Sequence, residues 1–380
     1  MRDIATSAVG TLTVVAALAW TMLILVPWHP WSTREVLDAE EPARADDLST
    51  VTAIIPARDE AAVIARTLRA LEQQGYGLKI ILIDDHSSDG TVHVARELAL
   101  AHLEPISSQP LPPGWSGKLW ALEQGRARAN TMLTLLLDAD IELAPGILTA
   151  AKTKLHSENL DLLSLLAAPR MAGFWEKLLL PAFVYFFKLL YPFALSNSHQ
   201  ARVAAAAGGF ILLKTQMLDT IDGFGSLREA LIDDCALAQR VKSAGGATWL
   251  ALSHAVRSQR ANRRLADVWN MVARTAFTQL HYSNLRLAAC TLIMMTLFWT
   301  PVAALFHAGP AVLALAVIAL AAMMFSYLPT LRFYGRSSTW ACALPLVAAI
   351  YLVMTWDSAV RHWRGRGAAW KGRTYNKKIA

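Results

Sequence analysis

The sequence predicts an α/β domain, with a mostly parallel sheet covered by helices on both faces, held between apolar helices at its two ends. Three observations predict it. Between Ser49 and Tyr282, short apolar runs alternate with segments of helical period. Three of those runs end in acidic clusters, at the strand ends where ligands of such sheets gather. Outside this region lie long uncharged stretches, and they raise hydrophobic residues to 54% of the 380 while charged residues fall to 17%.

Ile4 to Val26 carries no charge and is long enough for a helix to cross ~30 Å of hydrocarbon. A cleaved signal peptide is the competing reading. The length of the run, with Arg2 as its only basic flank, favours an uncleaved anchor over residues 1–30. Trp28 and Trp31 suit the interface that follows, and residues 31–48 read as a charged linker containing Pro42.

Residues 49–282 form the folded domain. Val51 to Pro56 is a buried strand, and Glu60 to Gln73 has helical spacing through Val63, Ile64, Leu68 and Leu71. Lys79 to Ile83 is a second strand, Thr91 to Leu100 a second helix, and Thr131 to Leu137 a third strand before a helix after Pro145. Phe174 to Leu195 breaks the alternation. It is rich in Leu, Phe and Tyr but holds Glu176, Lys177 and Lys188, with prolines at 181 and 192. A span here would cut the sheet in two, so the segment reads as an interfacial helix lying on a bilayer, with a buried helix as the alternative.

Beyond Arg286, residues 283–357 hold two to three spans. Leu287 to Thr330 suffices for two, turning at His307 to Pro310, and Ser337 to Trp356 is a further uncharged run. The tail, 358–380, is basic, and a basic tail beside an apolar segment suits anionic headgroups. With the central domain cytosolic in the inner membrane, three C-terminal spans would carry that tail outside, against the positive-inside tendency. One run must then be re-entrant or interfacial, or the tail breaks the rule. The net charge of +7 has no aromatic-and-basic surface pattern with it, so no nucleic-acid partner is expected. Cys235, Cys290 and Cys342 form no CxxC pair, which argues against a disulfide framework or a zinc site and fits a reducing compartment.

The chemistry is written in the acids. The first strand ends in Pro56-Ala57-Arg58-Asp59-Glu60, the second in Asp84-Asp85-His86-Ser87-Ser88-Asp89-Gly90, the third in Asp138-Ala139-Asp140, and Asp233-Asp234 comes later. One such carboxylate is an ordinary cap or turn residue. Two within a few ångströms repel, and they need a proton, a cationic partner or a metal. A hard divalent ion with oxygen ligands is the usual remedy, and it takes substrate phosphates as further ligands. A solvated turn is the plain alternative for Asp138-Ala139-Asp140. Asp233 and Asp234 suit a base whose pKa is raised by its neighbour, with Asp233 also able to cap the helix Ala236 to Lys242.

In order and spacing, these motifs resemble those of inverting family 2 glycosyltransferases over roughly Val51 to Gly246. Pro112 to Leu122 and Val272 to Leu280 resemble the hopene-associated branch of that family. The resemblance implies a GT-A fold, a nucleotide-sugar donor, a divalent metal (Mn2+ or Mg2+) and a lipid acceptor, a hopanoid by the branch. It implies that Asp85 holds the nucleotide base, with the loop of Pro56, Arg58 and Glu60 lining the same pocket. It implies that Asp138 and Asp140 hold metal and diphosphate, Asp140 the more direct ligand, with Lys118 near the diphosphate. Asp234 matches the general base, while Asp233 stands where the family usually has Glu. Gly208 and Gly209 match a loop near the acceptor, or form a plain tight turn before a strand.

The family's processive members carry Gln-x-x-Arg-Trp. Gln259-Arg260-Ala261-Asn262-Arg263-Arg264 lacks that spacing and the Trp, which favours single-sugar transfer over polymer synthesis. The cluster of Arg257, Arg260, Arg263 and Arg264 faces either phosphates or headgroups. A nucleotidyltransferase, which would release pyrophosphate, and a catalytically retired membrane scaffold are the rival classes.

Overall fold

The computed structural model describes residues 2–39, 46–228, 230, 233–307, 309–365, 368–370 and 373–375. The central domain is built on one eight-stranded sheet. In chain order its strands are β1 (Val51–Ala57), β2 (Lys79–Asp84), β3 (Leu103–Ser107), β4 (Leu133–Leu137), β5 (Ile141–Leu143), β6 (Leu162–Ala168), β7 (Phe210–Lys214) and β8 (Thr248–Ser258). They lie side by side as β3-β2-β1-β4-β7-β6-β8-β5. The half from β3 to β4 is parallel, as expected from its β-α-β alternation.

The other half departs from the expectation of a mostly parallel sheet. β7 runs antiparallel to both β4 and β6, and β5 antiparallel to β8. β7 follows a long excursion rather than a single crossover helix, so nothing obliges it to re-enter in the parallel sense.

Helices α2 (Ile64–Glu72), α3 (Thr91–Glu97), α4 (Gly117–Arg126) and α5 (Ile147–Ser157) cover the sheet. β1, β4 and most of β2 are buried along their length, because both faces are covered. One core cluster joins Val51, Ile55, Leu82, Leu135 and Leu165 with Leu68 and Leu148; another, on the opposite face, joins Ile54, Ile83, Leu136 and Ile211 with Leu122 and Leu237.

The linker is part of the domain. Leu37 N donates to Leu252 O at 3.0 Å and Leu252 N to Glu35 O at 2.9 Å, adding a bridge to β8. Asp38 Oδ1 accepts from the amides of His254 and Ala255, and the His254 ring stacks on Phe333 at 3.9 Å. His254 thus holds the linker against the end of a C-terminal helix.

Among the described residues, four helical segments are long and apolar enough to cross a membrane: Ala8–Leu25, Asn284–Phe306, Pro310–Phe333 and Ser338–Trp363. They belong to α1 (Arg2–Leu25), to α12 (Asn284–Met294) continued through a π-helical turn into α13 (Thr300–His307), to α14 (Pro310–Phe333), and to a 3-10 turn leading into α15 (Leu344–Trp363). α1 and α14 run side by side, Gly10 facing Val312 at one end and Trp31 meeting Phe325 at 5.4 Å near the other.

The segment that interrupted the alternation is α6 (Phe174–Leu190), followed by the short α7 (Phe193–Ser196). Most of its aromatics pack within the protein. Phe186 packs on Tyr351 of α15 at 5.1 Å and on Phe298 at 6.0 Å, and Phe187 meets Tyr191 and Phe193. The Tyr185 and Ser326 hydroxyls are 2.7 Å apart, and Lys188 Nζ donates to Trp31 O and Thr330 Oγ1, both at 3.1 Å. The helix is layered between the sheet domain and the apolar helices, and only ends such as Phe174 and Leu190 are exposed.

Candidate active site

Strand ends and one helix start converge on a pocket. Pro56 closes β1, Asp138 follows β4, and Asp233 and Asp234 occupy the first turn of α9 (Asp233–Ser243), where a helix N-terminus favours negative charge. Lys118 enters from the second position of α4, a helix opened by the Ser116 side chain accepting from Leu119 N. Its ammonium lies 2.9 Å from Asp138 Oδ1 and 3.6 Å from Asp233 Oδ2. Burial alone would depress its pKa, but the Asp138 and Asp233 carboxylates outweigh that and hold it above its ordinary value. Burial raises Asp138, with Lys118 opposing the shift and the charge of Asp140 adding to it.

Asp234 forms the far wall. Its Oδ2 accepts from Gly208 N at 2.8 Å and its Oδ1 from Cys235 N at 2.8 Å. Burial first, and then the charge of Asp233, push its pKa up to about 6, against the lowering effect of Lys118 and the two amides. Space favours glycine at 208. A Cβ on it would sit 3.3 Å from both Asp234 Oδ2 and Lys118 Nζ, closer than side chains comfortably approach. Gly209 O accepts from Asp138 N at 3.3 Å, so the two glycines tie the Asp138 turn to the Asp234 turn.

A second cluster adjoins the first. Gln259 N donates to Asp140 O at 2.8 Å, a link set by the antiparallel register of Ser258 with Ile141. That register brings Arg260 over the acids: Nε is 3.1 Å from Asp140 Oδ2 and Nη2 is 3.1 Å from Glu60 Oε1. Ser258 Oγ donates to Asp140 Oδ2 at 3.2 Å. Asp140 therefore gathers an arginine, a serine and, through Arg260, Glu60.

A third group stands on the loops after β1 and β2. Arg58 Nη1 donates to Asp85 O at 2.7 Å and lies 3.4 Å from Asp85 Oδ2, with Asp85 nearly fully buried. The loops are stitched together by Ser88 N to Asp59 Oδ1, Glu60 N to Thr91 Oγ1 and Ala61 N to Asp89 Oδ2. Asp59 and His86 both adopt left-handed backbone conformations in these turns.

All the site residues expected from sequence thus fall into these neighbouring groups: Pro56, Lys118, Asp138, Gly208, Gly209, Asp233 and Asp234 in the first, Glu60 and Asp140 in the second, and Arg58 and Asp85 in the third. Of the arginine cluster, Arg260 alone reaches the acids by an ion pair. Arg257 Nε donates to His254 O and Arg264 pairs with Asp267. Sequence reading also passed over Tyr191, whose hydroxyl donates to Gln279 Oε1 at 2.9 Å beside Cys235.

Residues 49–278 match the family model described as "Glycosyltransferase like family 2". The chain belongs to that family. This glycosyltransferase-like domain has the GT-A fold: the chain superposes with TM-score 0.55, at 18% identity, on a mannosyltransferase from Pyrobaculum calidifontis solved with GDP-mannose and Mn2+, covering 93% of this chain and 97% of that one. Among curated relatives, a 4,4'-diaponeurosporenoate glycosyltransferase of Staphylococcus haemolyticus is 28% identical over 113 residues, 30% of each chain. A probable glycosyltransferase of Bacillus subtilis is 33% identical over 99 residues, 25% of this chain and 23% of that one. These two alignments span less than a third of either partner.

The residues present fit a divalent cation. Asp138 and Asp140 flank one turn, and each carboxylate is already neutralised by a basic side chain, Lys118 on one and Arg260 on the other. Among the described residues no cluster of three or more His, Cys, Asp or Glu stands ready as a cage. A cation here would take its remaining ligands from water and from phosphate oxygens.

Proposed function

We propose that the protein is a membrane-bound inverting glycosyltransferase that moves one sugar from a nucleotide-diphosphate donor to a lipid acceptor. The observation that carries this is Asp234, a half-buried acid with its pKa raised to about 6, lining one pocket with Lys118 and with Asp138, the first acid of the pair Asp138 and Asp140. A base opposite a diphosphate cradle is what in-line displacement needs.

In this reading Asp85, braced by Arg58, holds the nucleotide base in the pocket begun by Pro56. Asp140 and Asp138 would hold Mn2+ or Mg2+, which would supply charge neutralisation to the diphosphate. Lys118 and Arg260, paired with those acids, stand where they could contact phosphate oxygens. Asp234 takes the acceptor hydroxyl's proton as the oxygen bonds the anomeric carbon and the bond to the departing diphosphate breaks. Gly208 N and Cys235 N hold that carboxylate in place, and burial, with the charge of Asp233, raises its proton affinity.

The lipid half rests on what backs the base. Cys235, next to Asp234, packs in one cluster with Val184 and Phe193 of the α6 layer and with Phe333 and Tyr334 at the end of α14. Relatives named for glycosylating 4,4'-diaponeurosporenoate agree with an apolar acceptor. The hopanoid remains the suggestion of the branch resemblance. The inner membrane, with the catalytic domain cytosolic, is the setting in which nucleotide sugars reach the site.

The test is to incubate the purified full chain with a panel of nucleotide sugars and membrane lipid extract, following products by mass spectrometry. A glycosylated lipid with release of nucleoside diphosphate is expected. Release of pyrophosphate would instead make it a nucleotidyltransferase, and no product from any donor would leave the scaffold reading standing.

A further inference from the structure

α15 has the length and composition of a fourth span, and its contacts contradict that role. Its entry is on the sheet-domain side. α14 ends with Phe333 O accepting from or facing His254 Nε2 at 2.8 Å, and Phe333 and Tyr334 pack against Leu250 and Leu252 of β8. The turn that follows places Trp340 5.9 Å from Phe174, the first residue of α6. Midway, Tyr351 donates to Leu179 O at 2.9 Å, again on α6.

Its exit is on the same side. Trp269 Nε1 donates to Asp357 Oδ2 at 2.7 Å, Ser358 Oγ accepts from Phe277 N at 3.0 Å, and Arg361 Nη1 donates to Asn270 Oδ1 at 3.0 Å. These partners lie on α10 (Leu265–Ala273) and α11 (Ala276–Gln279), which lead from β8 into α12. The His362 ring stacks at 4.4 Å on Tyr282, just before α12 begins. A 20-residue helix is about 30 Å long, so a crossing helix would carry one of its ends clear of the domain. Neither end leaves it.

The faces of α15 agree. Leu344, Val347, Tyr351, Met354 and Ser358 are buried toward the protein, while Leu346, Val353, Trp356 and Trp363 form an exposed apolar stripe along the other side. A stripe ending in two tryptophans suits the headgroup boundary. The charges agree too. Arg361, Arg364, Arg366, Lys371, Arg373, Lys377 and Lys378 follow with no acid among them, whereas the far ends of α1 and α14 offer only Arg2 as a Lys or Arg.

We infer that α15 does not cross the bilayer but lies in its surface on the catalytic side, its Leu346-Val353-Trp356-Trp363 stripe immersed in the headgroup boundary of an anionic leaflet. The chain then crosses three times, by α1, α12–α13 and α14. The basic tail returns to the side of the active site, and the conflict with the positive-inside tendency disappears. The inference rests only on the membrane half of the proposed function.

The test uses two full-length variants in a Cys342→Ser background, since Cys342 is exposed and Cys235 is buried. One carries Gly309→Cys, where a Cβ meets nothing within 4 Å, and the other Ala380→Cys. Intact cells are treated with a membrane-impermeant maleimide before and after permeabilisation. An in-plane α15 puts the two cysteines on opposite sides, so Gly309→Cys labels in intact cells and Ala380→Cys only after permeabilisation. Labelling of both from one side overturns it. Alkaline carbonate extraction then tells the causes apart: retention means a fourth crossing, and release means that the membrane reading itself has failed.

Discussion

Gly208 and Asp234 are joined by an amide-to-carboxylate hydrogen bond of 2.8 Å, and the same glycine leaves no comfortable room for a methyl group beside that carboxylate. Gly208→Ala should displace the loop by a few tenths of an ångström and lengthen the bond. A hydrogen bond to a charged group is worth about 1.5–3 kcal/mol, so turnover should fall roughly ten- to hundredfold if the bond orients the base. Donor affinity, measured by calorimetry, should stay near wild type. Unchanged turnover would detach Gly208 from the chemistry.

The rate should depend on pH through Asp234. A base acts when deprotonated, so transfer should decline as pH falls through about 6 and level off above it. Asp233 contributes to the upward shift by its charge, and Asp233→Asn should therefore move the acidic limb to lower pH. Asp234→Asn should abolish transfer while leaving donor binding close to normal. If Asp233→Asn stops transfer and Asp234→Asn does not, the roles are reversed.

Metal removal should silence the enzyme reversibly. Excess EDTA is expected to stop transfer, with Mn2+ or Mg2+ restoring it, and Asp140→Asn to lower turnover by ~10²-fold or more. Arg260→Ala frees Asp140 from its 3.1 Å partner and should raise donor KM through the lost phosphate contact. Full activity in EDTA would sink the metal assignment.

Nucleotide recognition should separate from chemistry. Asp85→Ala is expected to raise the donor dissociation constant about tenfold or more while lowering saturated turnover little, and Arg58→Ala to do the same more mildly by loosening Asp85. Equal losses of turnover and affinity would place Asp85 in the catalytic step instead.

Phe183, Phe186 and Phe187 were expected to face lipid, and they pack within protein. Phe186→Ala should lower the thermal midpoint in detergent, since removing a well-packed phenylalanine costs about 3–5 kcal/mol and a half-buried one less. Lipid transfer and donor hydrolysis should then fall together. Selective loss of lipid transfer, with stability intact, would return these rings to the bilayer.

Much of the site was legible because its acids follow apolar strands, a local pattern. Asp85 and Asp138 stand at strand ends, the Asp233-Asp234 pair stood out as adjacent acids, and the roles expected of them came from the resemblance to family 2 glycosyltransferases. Arg260 was harder. It meets Asp140 because β8 pairs antiparallel with β5, and a register between segments more than 100 residues apart leaves no local trace. The same holds for β7, whose direction depends on the route taken through α6, and for Asp38, a linker acid that serves β8. α15 is ambiguous in sequence for another reason: hydropathy reports that a helix prefers an apolar surround, and burial against α6 and α10 can satisfy that preference as a bilayer core can.

Lys188 clamps three pieces at once: the exit of α1 at Trp31, the end of α14 at Thr330, and the α6 layer that carries the helix itself. Asp38 and His254 likewise fasten the linker to Phe333, so the domain is tied to the apolar helices at several points. On the proposed function, the distance from the hydrocarbon edge to Asp234 would then be a fixed gauge. An acceptor would qualify by how far its hydroxyl projects from the bilayer, and a lipid with a stem too short, or a hydroxyl too deep, would be rejected by height alone whatever its chemical likeness to the true one.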